Sequence, residues 1–266
     1  MPAHLHVHRY GPPGPIQVLM MHGVTEHGRA WQSLADHLPE TTIAAPDLLG
    51  HGSSSWDAPW SIDANVSALA ALLDREADGP VVVVGHSFGG AIALHFAAAR
   101  PDLVSSLVLL DPAMALDGAL VREVAEAMVA FPDYTDPAEA RAEKAFGAWS
   151  DVDGALLDAE LAEHLIALPN GRYGWRISQP AMVCYWSELA RDIVLPPAGI
   201  PTTVVRAIRS ETQYVSDRLI AELRERLGPD LELLDFECNH MVPLAKPAEV
   251  AALIREHLGR GDRWRR

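Results

Sequence analysis

The sequence predicts an α/β fold, a mostly parallel doubly wound sheet interrupted by a helical insertion. Short apolar runs alternate with longer amphipathic ones, the strongest of these runs is a block of β-branched residues, and the alternation stops near residue 113 and resumes near 196. At 266 residues, with 49% hydrophobic and 21% charged side chains, the chain can bury one large core, and its composition excludes a disordered or collagen-like polymer. The expected division is a core domain of residues 1–112 and 196–266, with residues 113–195 as an inserted helical unit.

The first run, His4 to His8, alternates polar and apolar like an edge strand with one wet face. Its three histidines fall in a row about 7 Å apart on one face. With no Cys or acidic partner nearby in the sequence, they read as a solvated strand and not as a metal site. Ile16 to Met21 is a buried strand running into the turn His22-Gly23. Trp31 to Leu38 reads as a helix and Thr41 to Ala45 as a strand, followed by the loop Asp47-Leu48-Leu49-Gly50-His51-Gly52-Ser53. Residues 61–76 carry apolar positions at helical spacing behind Ser61, a natural N-cap.

Val81 to Val84 are four β-branched residues in succession, apolar on both faces as a central parallel strand requires, and they stop at Gly85. The Ala-rich run from Gly89 to Arg100 is a helix closed by Pro101, and Val104 to Leu110 is the next strand, ending at Asp111-Pro112. Between 113 and 195 the pattern gives helices (Val121 to Val129, Pro137 to Trp149, Leu156 to Leu168) and no convincing strand. This stretch holds Trp149, Trp175, Trp186, Tyr134, Tyr173 and Tyr185, which either pack the insertion onto the main domain or line an apolar pocket. Alternation resumes with the strand Thr202 to Ala207, a helix from Ser216 to Leu227, the strand Leu231 to Phe236 and a helix from Pro247 to Leu258. The basic tail from Arg260 to Arg266 is expected to fray, and its Arg-Gly-Asp tripeptide reads as coincidence.

Charge narrows the partners. With 36 acidic against 21 basic side chains the formal net charge is −15, which repels phosphate backbones and anionic lipid surfaces and argues against nucleic-acid binding. Cys184 and Cys238 are expected as reduced thiols. The N-terminus has no basic stretch leading into a long apolar one, and no window approaches 18 uninterrupted apolar residues, so a cytoplasmic protein without stable membrane insertion is expected.

The chemistry concentrates at Gly85-His86-Ser87-Phe88-Gly89-Gly90, between the most obvious strand and the most obvious helix. Small residues two before and two after a serine let a strained turn lift its hydroxyl clear of the sheet, at a helix N-terminus that favours developing negative charge. A serine hydroxyl needs a neighbouring base. Of 12 histidines, His240 stands out because Cys238-Asn239-His240-Met241-Val242-Pro243 follows the last strand, on the sheet edge where Ser87 lies and where sites in open α/β sheets assemble.

With these pieces in place the chain resembles the α/β-hydrolase superfamily, in its subset with a helical cap. The matching segments run from His22-Gly23 through Asp47-Leu48-Leu49-Gly50-His51-Gly52 and Gly85 to Gly90 to Asn239-His240-Met241-Val242-Pro243 and the closing helix. The resemblance implies the α/β-hydrolase fold, a cap (lid) at 113–195, and a triad in the order nucleophile, acid, histidine. It places the acid in the loop after the strand that follows the cap, here Arg206 to Tyr214, where Glu211 is the expected residue. Asp111 is the rival, because some members draw their acid from the end of the strand after the nucleophile strand. Asp217 comes third, reading better as a solvated charge at a helix start. The resemblance also implies oxyanion donors at Phe88 and Val24, with His22 and Gly23 shaping that loop. His86 is either a pocket wall or a packed neighbour.

The expected function is that of a cofactor-free, metal-free serine hydrolase cleaving carboxylic esters of small or medium apolar substrates through an acyl-enzyme on Ser87. Its one expected partner is a small-molecule ester-type substrate, and a homodimer is left open as an assembly. The same residues serve thioesterases, lactonases and C–C bond hydrolases, and a receptor on the same fold would bind such compounds without turnover.

Overall fold

The computed structural model describes residues 4–264. In chain order the strands are β1 (Val7–Tyr10), β2 (Val18–Met21), β3 (Ile43–Pro46), β4 (Val81–His86), β5 (Val104–Leu110), β6 (Leu165–Ala167), β7 (Tyr173–Trp175), β8 (Thr202–Ala207) and β9 (Leu231–Phe236). The α-helices are α1 (Gln32–Ala35), α2 (Ile62–Glu76), α3 (Phe88–Ala99), α4 (Gly118–Ala130), α5 (Pro137–Phe146), α6 (Gly154–His164), α7 (Gln179–Glu188), α8 (Asp217–Leu227), α9 (Val242–Ala245) and α10 (Pro247–Trp264). Seven strands form one sheet in the order β1-β3-β2-β4-β5-β8-β9, parallel except for antiparallel β1 at one edge.

Period-two alternation decides how the sheet is covered. In β4, Val81 and Val83 join one apolar cluster with Leu69 and Leu73 of α2, Ile92 and Phe96 of α3 and Leu223 of α8. Val82 and Val84 face the other way, into a cluster with Leu34 of α1 and Val250 and Ile254 of α10. In β5, Leu107 and Leu109 take the first side and Val108 and Leu110 the second. Both faces are dry, which is why Val81 to Val84 and Leu107 to Leu110 read as unbroken apolar runs. Ser61 caps α2, its hydroxyl accepting the Ala64 N–H at 3.1 Å.

Several elements differ from the sequence-based expectation. The first strand starts at Val7, where pairing with Ile43–Pro46 begins, and not at His4. The helix expected over Trp31 to Leu38 is a 3-10 turn, Gly28–Trp31, followed by the single turn α1. The insertion is not purely helical: β6 and β7 form an antiparallel pair around Asn170-Gly171, with Gly171 at φ 79°. That dipeptide is a hairpin signal, and here it also cuts the expected helix back to His164. The last helix runs to Trp264, past the start of the expected frayed tail, and residues 265–266 lie outside the described residues.

Much of the insertion is welded to the core. Ile177, Ala181, Met182, Tyr185 and Leu189 belong to the same apolar cluster as Phe88. The Tyr185 hydroxyl donates to the Leu49 carbonyl at 2.8 Å, and its ring lies 4.6 Å from that of Phe88. Cys184 and Cys238 are free thiols. Among the described residues no helix is long and apolar enough to cross a membrane.

Candidate functional site

The turn between β4 and α3 holds Ser87 at φ 52°, ψ −116°, a conformation L-residues rarely adopt. The fold over-determines it. The Ser87 N–H donates to the Leu110 carbonyl at 3.0 Å and its own carbonyl accepts the Gly90 N–H at 2.9 Å. A Cβ on Gly85 would sit 2.3 Å from the Gly89 carbonyl oxygen, and one on Gly89 would sit 2.1 Å from that of Met21. Backbone approach therefore demands glycine at both positions. The result lifts Ser87 to the carboxyl edge of the sheet at the N-terminus of α3, whose first N–H, that of Phe88, has no partner within the helix.

His240 lies between β9 and α9. Its Nδ1 donates to Oδ2 of Asp111 at 2.6 Å. Asp111 directly follows β5 at φ 44°, and its Oδ1 accepts the Ala207 N–H at 3.1 Å, so the end of β8 holds one oxygen while the other holds the imidazole. This corrects the expectation that Glu211 partners His240. Glu211 stays exposed on the loop after β8 and lines a neighbouring cavity of 370 Å³ with Tyr214 and His240. The physical reason is reach and anchoring. Asp111 ends the strand next to the one bearing Ser87 and is 2% exposed, so its short side chain is fixed where the imidazole arrives. Asp217 is exposed at the start of α8.

Ser87 and His240 line one cavity of 270 Å³ between the sheet edge and the insertion. With Nδ1 committed to a carboxylate, the free ring nitrogen of His240 is Nε2. Burial pushes the His240 pKa below its ordinary 6.5; the Asp111 hydrogen bond resists and the nearby His86 reinforces that shift. The ring is thus neutral near pH 7, as a proton acceptor must be. Val24 lines the same cavity, and its neighbour Gly23 donates its N–H to Glu26 Oε2 at 3.2 Å. His86 is fully buried beneath the cavity and is not part of its wall.

The insertion's aromatics divide between the two roles left open by the sequence. Tyr185 packs the insertion down, while Tyr134, Trp149, Trp175 and Trp186 line the cavity. Lys144 lies across the rings of Trp149 and Trp175, with Nζ 4.3 and 3.9 Å from their centroids, and donates to Glu160 Oε1 at 2.5 Å. The other Glu160 oxygen pairs with His27 Nε2 at 2.7 Å, tying α6 to the loop after β2.

Among the described residues two groups bring three ligand-type atoms within 4.8 Å of one another, His27, Glu160 and His164, and His6, His8 and Asp47. The second corrects the expectation that no acidic partner stands near the histidines of the first strand, because β1 pairs with β3 and brings Asp47 to His8 at 3.2 Å. In both groups protein donors already occupy the carboxylate. Gly28 and Ser53 N–H groups bind Asp47, and Lys144 binds Glu160.

His22 shows how burial sets pH dependence. Its Nε2 accepts the Leu48 N–H at 2.9 Å and its Nδ1 bonds the Gly23 carbonyl at 2.7 Å, so the ring is neutral, and burial pushes its pKa down to about 4. The folded value lies below the unfolded one, so the unfolded chain binds the extra proton between about pH 6.5 and 4. The contribution of His22 to stability is therefore expected to be level above pH 6.5 and to fall as pH drops through that window. Melting temperatures over pH 4–8 check this, and a constant Tm would contradict it.

Comparison with known proteins places the chain among relatives. A chain named Lipase LipV from Mycobacterium tuberculosis is 75% identical over 255 residues, covering 96% of this chain and 98% of its own length. Esterase Rv0045c from the same organism is 31% identical over 229 residues, covering 82% of this chain and 74% of its own. Among solved structures, E-2-(acetamidomethylene)succinate hydrolase superposes with a TM-score of 0.81 at 24% identity, covering 97% of this chain and 96% of that one. The model of the alpha/beta hydrolase family matches residues 18–253, and with the parallel sheet and the serine turn at its carboxyl edge already described, the chain belongs to that family.

Proposed function

We propose that this protein hydrolyses carboxylic esters of compact apolar or aryl acids through an acyl-enzyme on Ser87. The observation that carries the reading is the 2.6 Å bond from His240 Nδ1 to Asp111, which leaves Nε2 as the free ring nitrogen of a histidine that shares one cavity with the strained Ser87. The names of the lipase and esterase relatives support the ester as the bond cleaved.

In this reading Nε2 takes the Ser87 proton as Oγ attacks the carbonyl carbon. The carbonyl oxygen becomes an oxyanion facing the N–H groups of Phe88 and Val24, which are fixed before reaction and so act without reorganisation. Collapse of the tetrahedral species breaks the bond to the alcohol, and the imidazolium returns its proton to that leaving oxygen. Water then repeats the sequence on the acyl-enzyme and releases the acid. Asp111 keeps the proton on Nδ1 and stabilises the imidazolium without becoming protonated. The segment 113–195 acts as the cap that supplies the aromatic wall.

A cavity of 270 Å³ is small for a ligand site, and its aromatic lining favours a compact apolar acyl group. Across p-nitrophenyl acetate, butyrate, benzoate and laurate, turnover is expected for the three compact esters, with kcat/KM falling sharply for laurate. Binding of all four without product release would replace this reading with that of a receptor.

A further inference from the structure

At the wall of the cavity lies a pair that the mechanism above does not use, with Glu26 in the lining and His86 buried behind it. Glu26 is 6% exposed and His86 fully buried, with Glu26 Oε1 3.1 Å from His86 Nδ1. On the other side of the ring, His86 Nε2 lies 2.8 Å from the His240 carbonyl oxygen. A carbonyl only accepts, so Nε2 carries a proton, and a carboxylate only accepts, so Nδ1 carries one too. With Glu26 ionised, these two acceptors make His86 an imidazolium.

The electrostatics agree. Burial opposes ionisation of Glu26, but the His86 charge, its hydrogen bond and the Gly23 N–H outweigh burial and hold the carboxyl at about 2. Burial likewise works against a charged His86, and Glu26 raises it above its ordinary value.

The pair touches all three pieces of the proposed machinery. Glu26 accepts the Gly23 N–H, next to Val24. His86 immediately precedes Ser87, and it grips the backbone of His240. The rings of His86 and His240 are 4.8 Å apart, and the charge of His86 acts on His240 more strongly than the opposing charge of Glu26. We propose that Glu26 and His86 are positioning residues: a buried ion pair that joins the nucleophile turn, the oxyanion loop and the base loop, and whose positive end keeps His240 unprotonated. Calling the three pieces catalytic rests on the function proposed above; the electrostatic effect on His240 does not.

The charges facing this centre come from every element around it. Asp111 lies at the end of β5, Glu26 and neutral His22 at the end of β2, and His86 at the end of β4. From the loop after β8 the Tyr214 ring lies 4.2 Å from that of His240, its hydroxyl kept protonated by burial and by Asp111. Lys144 and Glu143 line the cavity from the insertion. Of these, only His86 is a cation packed on the His240 ring.

Glu26→Gln separates charge from geometry. The Gln amide can donate to His86 Nδ1 and its oxygen can accept the Gly23 N–H, so the contacts survive while the ring becomes neutral. In proton–nitrogen spectra of ¹⁵N-histidine-labelled protein at pH 7, the wild type is expected to show both His86 ring nitrogens protonated, assigned by their absence in His86→Gln. In Glu26→Gln one of the two should lose its proton. Removing both charges, of which the cation acts more strongly on His240, should raise the His240 titration midpoint by about 0.5–1 pH unit, and move the acid limb of kcat/KM the same way. His86→Gln, which leaves Glu26 without its counter-charge, should raise it further.

A wild-type His86 with one unprotonated ring nitrogen at pH 7, or an unmoved His240 midpoint in both variants, overturns the proposal. If Ser87→Ala still hydrolyses esters while Glu26→Gln shifts the midpoint, the triad reading falls and the ion pair's effect on His240 stands.

Discussion

Ser87→Ala is expected to lower kcat for ester hydrolysis by about 10⁶-fold while leaving the melting temperature almost unchanged. Alanine carries the same Cβ as serine, so it meets the same strain at φ 52° and the turn keeps its backbone bonds to Leu110 and Gly90. What is lost is the nucleophile alone. A residual acceleration of about 10³ over water should persist, because preorganised N–H donors still stabilise the oxyanion when water attacks directly. Purified variant assayed on p-nitrophenyl butyrate, with a thermal melt as control, checks both halves. Retention of more than a few per cent of wild-type kcat would remove Ser87 from the mechanism.

Asp111→Asn carries the next largest expected effect, a loss of about 10⁴ in kcat. The asparagine oxygen can still accept the Ala207 N–H, which now binds Oδ1, so the loop is not expected to move. Its amide, however, replaces the acceptor facing His240 Nδ1 with a donor. The imidazole must then carry its proton on Nε2, where it cannot accept one from Ser87. Glu211→Gln is the matched control. Its carboxylate is exposed and the His240 Nδ1 bond goes to Asp111, so kcat is expected to stay within about twofold of wild type, the usual scale for an exposed charge remote from a specific contact. A profile with the two variants interchanged would return the acid role to the loop after β8.

The contrast between Asp111 and Glu211 shows what the sequence carries. Strands β5, β8 and β9 run over the residues expected of them, because each is a short stretch rich in apolar and β-branched residues set off by Pro, Asp or Gly. The serine turn is equally legible, since its glycines are demanded by backbone contacts within a few residues of chain and with β2. A carboxylate partner is different. The sequence tells which loops reach the carboxyl edge, and both Asp111 and Glu211 qualify; only three-dimensional reach, fixed by Ala207 and by the depth of Asp111, separates them.

Glu26 gives no periodic signal at all. It lies three residues after Gly23 in an irregular loop, and its meaning emerges only when His86, sixty residues later, packs against it. The position of β1 is similar, because four-residue pairing with β3 starts the strand after His4 and His6 and keeps only His8 of the alternating histidines within it. Asn170-Gly171, by contrast, was a readable hairpin signal outweighed by the helical pattern of the preceding residues.

The most direct measurement is covalent labelling with a fluorophosphonate, followed by intact mass and peptide mapping. The account requires one adduct per chain, carried on the peptide containing Ser87, formed at a rate that falls steeply in Asp111→Asn and absent in Ser87→Ala. An adduct on another residue, or undiminished labelling of Ser87→Ala, would contradict it.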